Sequence, residues 1–342
     1  MTGPTPPFSH WLAEIASGRT LSETEAAAAF GTMMAGEATP AQMGAFLMGL
    51  RVRGETVAEI TGAARVMRAN ALTIEAPANA IDTCGTGGDA SGSFNISTAA
   101  AFVVAACGVP VAKHGNRKLS SKAGSADVLT ALGVNIDTPL EIVARAIREV
   151  GIGFMMAPKH HAATRHVATV RAELVTRTIF NLLGPLSNPA GVRQQLVGVF
   201  APQWVKPLAE VLARLGSEAA WVVHGDGMDE LTTTGLNEIA ALENGEVKVL
   251  TLDSRDLGLP RVRHEDLGGG DAQDNAQQML ELFAGATGPI RDIVLLNAAA
   301  ALKIAGKETV LATCLVLAGE AIDSGRAQSV LDRLIALTNE AA

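Results

Sequence analysis

The chain has 342 residues, 48% of them hydrophobic, and its 27 lysines and arginines are outnumbered by 35 aspartates and glutamates. That length suits one large domain or two, and the apolar content supplies a sizeable core. A net charge of −8 argues against a nucleic-acid-binding protein, although a local basic pocket remains compatible with it. Cys84, Cys107 and Cys314 are odd in number and form no CxxC pair, so they read as reduced thiols of a cytoplasmic protein, with no disulfide framework and no zinc site. The opening residues carry no basic stretch followed by an apolar run, so no signal peptide is expected. The longest apolar run, near Ala99–Cys107, is too short to span a bilayer.

The first seventy residues read as helices only. Phe8 to Ser17 places Trp11, Leu12 and Ile15 on one face and stops at Gly18. Ser22 with Glu25, Thr39 with Gln42 and Thr56 with Glu59 make three capping boxes, the second with Pro40 at the first helical position. Met43, Phe46, Leu47 and Leu50 follow at helical spacing, and Gly54 ends that helix. This apolar, methionine-rich stretch suits either an internal core or a subunit interface. Ala76 to Asn79 reads as a linker.

From Ile81 onward strands alternate with helices, which implies parallel pairing through crossover helices. Expected strands lie at Ile81–Cys84, Val109–Ala112, Ile152–Met156, Leu196–Phe200 and Ala220–His224. Expected helices include Ser125–Leu132, Pro139–Val150, Pro158–Val170 and Val205–Leu215. Ile239–Leu242 and Val247–Leu252, split by Asn244-Gly245, read as a hairpin. Residues 272–342 read as four helices.

Three groups carry chemistry. Gly85, Gly87, Gly88 and Asp89 lie between the first strand and the helix that Asn95-Ile96-Ser97-Thr98 begins. Strand, glycine turn and helix start suit a phosphate cradle, because glycine lets backbone N–H groups approach and the helix end adds unpaired donors; on the glycines alone a tight turn with no ligand is an equal alternative. The spacing is neither GxGxxG nor a Walker loop. A basic run, Lys113-His114-Gly115-Asn116-Arg117-Lys118 through Ser120-Ser121-Lys122 to Ser125, follows the second strand, where open α/β sheets bind ligands, although such a run is usually a solvated surface. Asp229-Glu230, after a strand and a glycine turn, suit Mg²⁺, a hard cation that takes oxygen ligands; alone, such a pair is usually a solvated loop. His160 and His161 read as a helix-start or hinge feature, and no Ser-His-Asp triad can be assigned by spacing.

Taken in order, Gly85-Thr86-Gly87-Gly88-Asp89, Phe94 to Thr98, Lys113 to Arg117, Ser120 to Lys122, Gly124 to Asp127, Arg177 to Leu186 and Asp229-Glu230 resemble the anthranilate phosphoribosyltransferases of tryptophan biosynthesis over nearly the whole chain. The resemblance implies an α/β fold with a small all-helical N-terminal domain (residues 1–72, joined by a helical segment near 166–190). It implies a large α/β domain (residues 80–342) whose mostly parallel sheet is flanked by helices. Further implications are a magnesium-dependent transfer from phosphoribosyl pyrophosphate to the amine of anthranilate, two Mg²⁺ ions, and a cytoplasmic homodimer joined through the helical domain, with no nucleic acid or membrane partner. By the same resemblance, Gly85, Gly88, Asp89, Ser93, Asn95, Ile96, Ser97, Thr98, Lys113, His114, Gly115, Asn116, Arg117, Ser120, Ser121 and Ser125 hold phosphoribosyl pyrophosphate. Gly85, Asn116, Arg171 and His114 meet anthranilate, and Ser97, Asp229 and Glu230 hold metal. No acid or base is implied. A nucleoside phosphorylase of the same fold and a non-catalytic nucleic-acid-binding paralogue are the alternatives. The chain departs from the family pattern at Ser93 (usually Thr), Lys118 (usually small), Ala162 (usually Pro) and Val175 (usually Gly), the last two bearing on hinge flexibility.

Overall fold

A computed structural model describes residues 6–117 and 123–340. Four helices open the chain: α1 (Phe8–Ala16), α2 (Glu23–Met34), α3 (Pro40–Arg53) and α4 (Val57–Ala69). The last three begin on the capping boxes legible in the sequence, each hydroxyl accepting from the backbone N–H three residues on. Glu59 has a second task. Its fully buried carboxylate accepts from the Leu21 N–H at 2.8 Å and pairs with Arg53 at 2.5 Å, tying α4 to the ends of α3 and of the α1–α2 connection.

The α/β region follows as β1 (Ile81–Gly85), α5 (Ile96–Ala106), β2 (Val111–Gly115), α6 (Ser125–Ala131), α7 (Leu140–Glu149), β3 (Ile152–Met156), α8 (Ala157–His160), α9 (Arg165–Leu174) and α10 (Phe180–Leu183). Then come β4 (Gln194–Gly198), α11 (Val205–Arg214), β5 (Ala219–Gly225), β6 (Leu236–Glu243), β7 (Glu246–Asp253), α12 (Ala272–Phe283), α13 (Pro289–Ile304), α14 (Leu311–Asp323) and α15 (Arg326–Asn339). The sheet runs β3-β2-β1-β4-β5-β6-β7. Its first five strands pair in parallel, and β6 and β7 add an antiparallel hairpin. Asn244 and Gly245 both take positive φ at the hairpin tip, as a two-residue turn between right-twisted strands requires.

Side chains alternate across the sheet. Trp221 and Val223 of β5 join a core made with α5 and the four C-terminal helices. Ala220 and Val222 join a second core that includes α11 and runs without a break into the N-terminal helices, α9 and α10. The helical bundle is therefore packed against one sheet face.

Three elements differ from expectation, among them the strand expected at Leu196–Phe200, which runs two residues earlier as β4. The helix expected over Pro158–Val170 breaks at His161 (φ −116°, ψ 53°). The His160 carbonyl, which a continuing helix would offer to residue 164, accepts instead from Leu72 N–H at 2.8 Å. The strand expected at Val109–Ala112 lies two residues later, because Pro110 has no N–H for the ladder.

Val175 caps α9 in the left-handed region (φ 49°, ψ 27°) with its side chain in solvent. A β-branched residue pays a steric cost there that glycine does not, and the exposed side chain offers little packing in return. Val175→Gly is therefore expected to raise stability by about 1 kcal/mol, measured by urea denaturation; a loss of stability would show that Val175 makes a contact in solution worth more than its strain.

Candidate active site at the sheet switch point

The strand order reverses between β1 and β4, and open α/β sheets bind ligands in the crevice beyond the carboxyl ends of such strands. Both strands end in glycine there, and Gly85 and Gly198 are direct register partners. Asp229 fills the space their missing side chains leave. A Cβ on Gly198 would lie 1.5 Å from the Asp229 carbonyl oxygen, and one on Gly85 would lie 2.4 Å from Asp229 Oδ2. The Gly87 N–H then donates to Asp229 Oδ2 at 2.6 Å, and the Asp229 N–H donates to Asp89 Oδ2 at 3.3 Å. The glycine loop and the Asp-Glu turn, 142 residues apart, are thus one structure.

Glu230 reaches the start of α5, where Ser97 N–H donates to its Oε1 at 3.1 Å. Asn95, the residue before α5, does not cap the helix with its side chain, and the Thr98 hydroxyl is buried without a partner. The helix end keeps the positive dipole and orphan donors that favour an anion. Lys113, buried at the end of β2, donates to the Thr83 carbonyl at 2.5 Å and comes within 3.4 Å of Ser97 Oγ. Beneath it the fully buried Asp82 accepts from His114 N–H at 3.2 Å and from Asn188 Nδ2 at 2.8 Å. Burial raises the Asp82 pKa, and the Lys113 charge opposes that shift.

Asp229 and Glu230 are half-buried, unlike an ordinary loop pair. Burial raises both pKa values; the neighbouring charge of Asp89 adds to the shift at Asp229, and that of Asp229 to the shift at Glu230. These are hard oxygen donors held close with too little compensating charge, as a magnesium site requires before the ion arrives. Among the described residues no three His, Cys, Asp or Glu side chains gather into a shell that could hold a metal unaided. Mg²⁺ characteristically draws its remaining oxygens from water and substrate phosphate.

The other expected residues fall into three sets. Gly88, Asp89, Ser93, Asn95, Ile96, Ser97 and Thr98 line the glycine loop and the start of α5, Ile96 contributing its backbone because its side chain is in the core. Gly115, Asn116, Arg117 and Ser125 form a second loop: Ser125 Oγ donates to the Asn116 carbonyl at 3.4 Å, and Arg117 pairs with Asp127 at 3.5 Å. A Cβ on Gly115 would sit 2.4 Å from Ser125 Oγ. Ser120 and Ser121 lie outside the described residues. The third set stands apart. Arg171, on α9, lies over the Phe180 ring at 5.1 Å, and its side chain makes no ion pair or hydrogen bond among the described residues. Its partial burial lowers its pKa. The buried His114 ring meets the His161 ring at 5.2 Å, and burial, then the two neighbouring histidines, lowers its pKa to about 3. His114 is neutral at physiological pH.

Sequence reading left three positioning residues without a role. Gly198 ends β4, and a glycine inside the strand expected at Leu196–Phe200, a mark of close backbone approach, is the signal that could have found it. Arg177 donates to the Gly88 carbonyl and stacks over Phe200 at 4.1 Å, pinning the glycine loop. Asn297 of α13 accepts from Leu231 N–H at 3.1 Å and donates to the Leu231 carbonyl at 2.8 Å, holding the chain just past Glu230. Its distance in sequence hides it.

A phosphate cradle at the switch point, with paired carboxylates facing it and a helical bundle beside it, defines a class. Residues 77–328 match the α/β domain of the glycosyl transferase family, and residues 9–71 match that family's helical bundle domain. The chain is 61% identical to the anthranilate phosphoribosyltransferase of Azospirillum brasilense over 96% of its own length and 92% of the relative's. It is also 61% identical to that of Rhodospirillum rubrum, covering 95% and 94%. The crystal structure of the Thermus thermophilus anthranilate phosphoribosyltransferase superposes with a TM-score of 0.91 at 44% identity, covering 96% of this chain and 99% of that one. That of the Saccharomyces cerevisiae enzyme in complex with PRPP and Mg gives 0.88 at 25% identity, covering 97% of each. The chain belongs to the anthranilate phosphoribosyltransferases within that glycosyl transferase family.

The raised carboxylate pKa values fix a pH response. In the unfolded chain Asp and Glu titrate near pH 4. A raised folded-state value means that stability is present below that range and is lost as pH rises through the folded values. In a chelator, the double variant Asp229→Asn, Glu230→Gln should therefore melt higher than wild type above neutrality, and the difference should shrink in acid. Melting curves across pH test this; an advantage that grows in acid would contradict the sign of the shifts.

Proposed function

We propose that this chain transfers the 5-phosphoribosyl group of phosphoribosyl pyrophosphate to the amine of anthranilate, giving N-(5-phosphoribosyl)anthranilate and pyrophosphate. The observation that carries this reading is the Asp229–Glu230 turn seated on the glycine loop and the α5 start, in a chain 61% identical to named relatives. Gly85, Gly88, Asp89, Ser93, Asn95, Ile96, Ser97, Thr98, Lys113 and the loop from His114 to Ser125 hold the sugar pyrophosphate in this reading, with Ser120 and Ser121 assigned on the family resemblance. Backbone N–H groups and the α5 dipole bind its phosphates. Ser97, Asp229 and Glu230 hold Mg²⁺, two ions being the expected number. When bound, the metal supplies positive charge against the leaving pyrophosphate.

The nucleophile is a neutral aniline nitrogen, so no base must deprotonate it before attack. The N–C1 bond forms as the C1–O bond to pyrophosphate breaks, and the amine proton leaves afterwards to water. The work of the chain is positioning and charge stabilisation. His114, neutral and buried, serves as a wall and hydrogen-bonding group and carries no proton into the step. Arg171, an unpaired and partly desolvated cation, receives the anthranilate carboxylate, with Asn116 and Gly85 beside it.

The domain division falls in the linker between α4 and β1. A cytoplasmic homodimer joined through the helical domain completes the reading; the exposed Val52 on α3 supports such a contact. A nucleoside phosphorylase would leave the Asp229–Glu230 turn and Arg171 without a use.

Loss of anthranilate fluorescence that requires both phosphoribosyl pyrophosphate and Mg²⁺ tests the activity. Arg171→Ala should raise the KM for anthranilate roughly ten- to a hundredfold, the loss of one charged hydrogen bond of about 1.5–3 kcal/mol. The KM for phosphoribosyl pyrophosphate should stay nearly constant; equal losses for both substrates would remove Arg171 from the anthranilate site.

A further inference from the structure

The loop from Ser91 to Asn95 has a backing that comes from the other end of the chain. Three consecutive glycines, Gly268 to Gly270, lead into α12. They lie against this loop closely enough to make ladder-like contacts: Phe94 N–H donates to the Leu267 carbonyl at 2.9 Å, and Gly269 N–H donates to the Gly92 carbonyl at 3.0 Å. Ser93 and Gly268 form an isolated antiparallel bridge. The fit excludes a side chain. A Cβ on Gly269 would lie 2.7 Å from the Ser93 carbonyl oxygen and 3.0 Å from Phe94 Cα.

Asn275, in the first turns of α12 and 1% exposed, completes the contact. Its Oδ1 accepts from the Asn95 backbone N–H at 3.0 Å and faces Asn95 Nδ2 at 3.4 Å. Its Nδ2 donates to the carbonyls of Gly270 at 3.0 Å and Asp271 at 2.8 Å. Both ends of the carboxamide are occupied, so its orientation is fixed by four contacts, two local and two reaching across 180 residues of sequence to Asn95. A carboxylate of the same shape would set a negative charge against two carbonyls, and a longer amide would push the loop outward.

The position of Asn95 decides where α5 begins. Its backbone sits at φ −75°, ψ 67°, outside the helix, and the next residues supply Ser97 and Thr98 to the phosphate cradle. Without an acceptor for its N–H, Asn95 is free to take up helical geometry and lengthen α5 by a residue, which shifts the set of orphan donors at the helix start.

We propose that Asn275, seated by the Gly268–Gly270 run, is a positioning residue for phosphoribosyl pyrophosphate: it sets the Ser91–Asn95 loop and the first turn of α5 in the geometry that receives the sugar pyrophosphate. This rests on the assignment of Asn95 and Ser97 to that substrate. It adds residues that touch no reacting atom and belong to a different part of the chain.

The test measures phosphoribosyl pyrophosphate binding by calorimetry, with steady-state kinetics for both substrates, on full-length Asn275→Ala, Gly269→Ala, Asn95→Ala and Ser97→Ala. Asn275→Ala and Gly269→Ala should each weaken phosphoribosyl pyrophosphate binding and raise its KM by about tenfold, the scale of one lost buried hydrogen bond. The KM for anthranilate should change by less than about twofold, a split that a general loss of folded protein would not produce. Should Asn275→Ala fail to fold, Gly269→Ala carries the same test. Weakened binding in Asn95→Ala and Ser97→Ala with wild-type binding in both backing variants would overturn the proposal alone. Wild-type binding in Asn95→Ala and Ser97→Ala would overturn the substrate assignment and the proposal with it.

Discussion

The close approach of Asp229 to two strand ends is the constraint on which the site depends. Gly85 and Gly198 are paired where the sheet reverses its order, and each lacks the Cβ that would occupy the place of Asp229. Their absence lets a turn that follows β5 lie over the mouths of β1 and β4. From that seat Asp229 meets Gly87, and Glu230 meets the first turn of α5. A phosphate cradle from one part of the chain and a carboxylate pair from another therefore face one crevice. Neither would be a site alone: the cradle would have no acidic partner for a bridging cation, and the carboxylates would be an ordinary solvated turn.

Electrostatics explains why the arrangement is incomplete without its ligands. The carboxylates are partly desolvated and near Asp89, so their charged forms are disfavoured in the folded chain. Lys113 offsets part of this from below, but its ammonium group is already committed to Thr83 and lies near Ser97. Arg171 is a partly desolvated cation on the helical side, with the opposite need. Partly desolvated charges held without an opposite charge cost stability, a compromise common at functional sites.

Much of this was legible in the sequence because it is local. The capping boxes at Ser22, Thr39 and Thr56 act within one helical turn, and each appears where the spacing placed it. The Asn244-Gly245 hairpin and the strand-to-glycine-to-helix passage at Ile81–Ala106 are equally short-range signals. The rest was set by contacts between distant segments. The break at His161 arises because Leu72 takes a carbonyl that the helix needed. Gly198 falls inside the strand expected at Leu196–Phe200, and its role emerges only with its register partner Gly85 across the sheet. Asn297, which holds the chain beside Glu230, carries no motif of its own. Val175 stands out in sequence only against the family pattern; its left-handed backbone is a property of the folded helix end.

The seat of Asp229 is tested most directly by Gly85→Ala, since the added methyl carbon would meet the Asp229 carboxylate 2.4 Å away while leaving the strand ladder intact. Activity is measured over a magnesium titration, with melting temperature as the check on folding. Gly85→Ala should give a folded protein whose half-maximal activation needs about tenfold or more additional Mg²⁺, the scale of a disturbed metal-site support. A folded Gly85→Ala protein with the magnesium dependence of the wild type would contradict it.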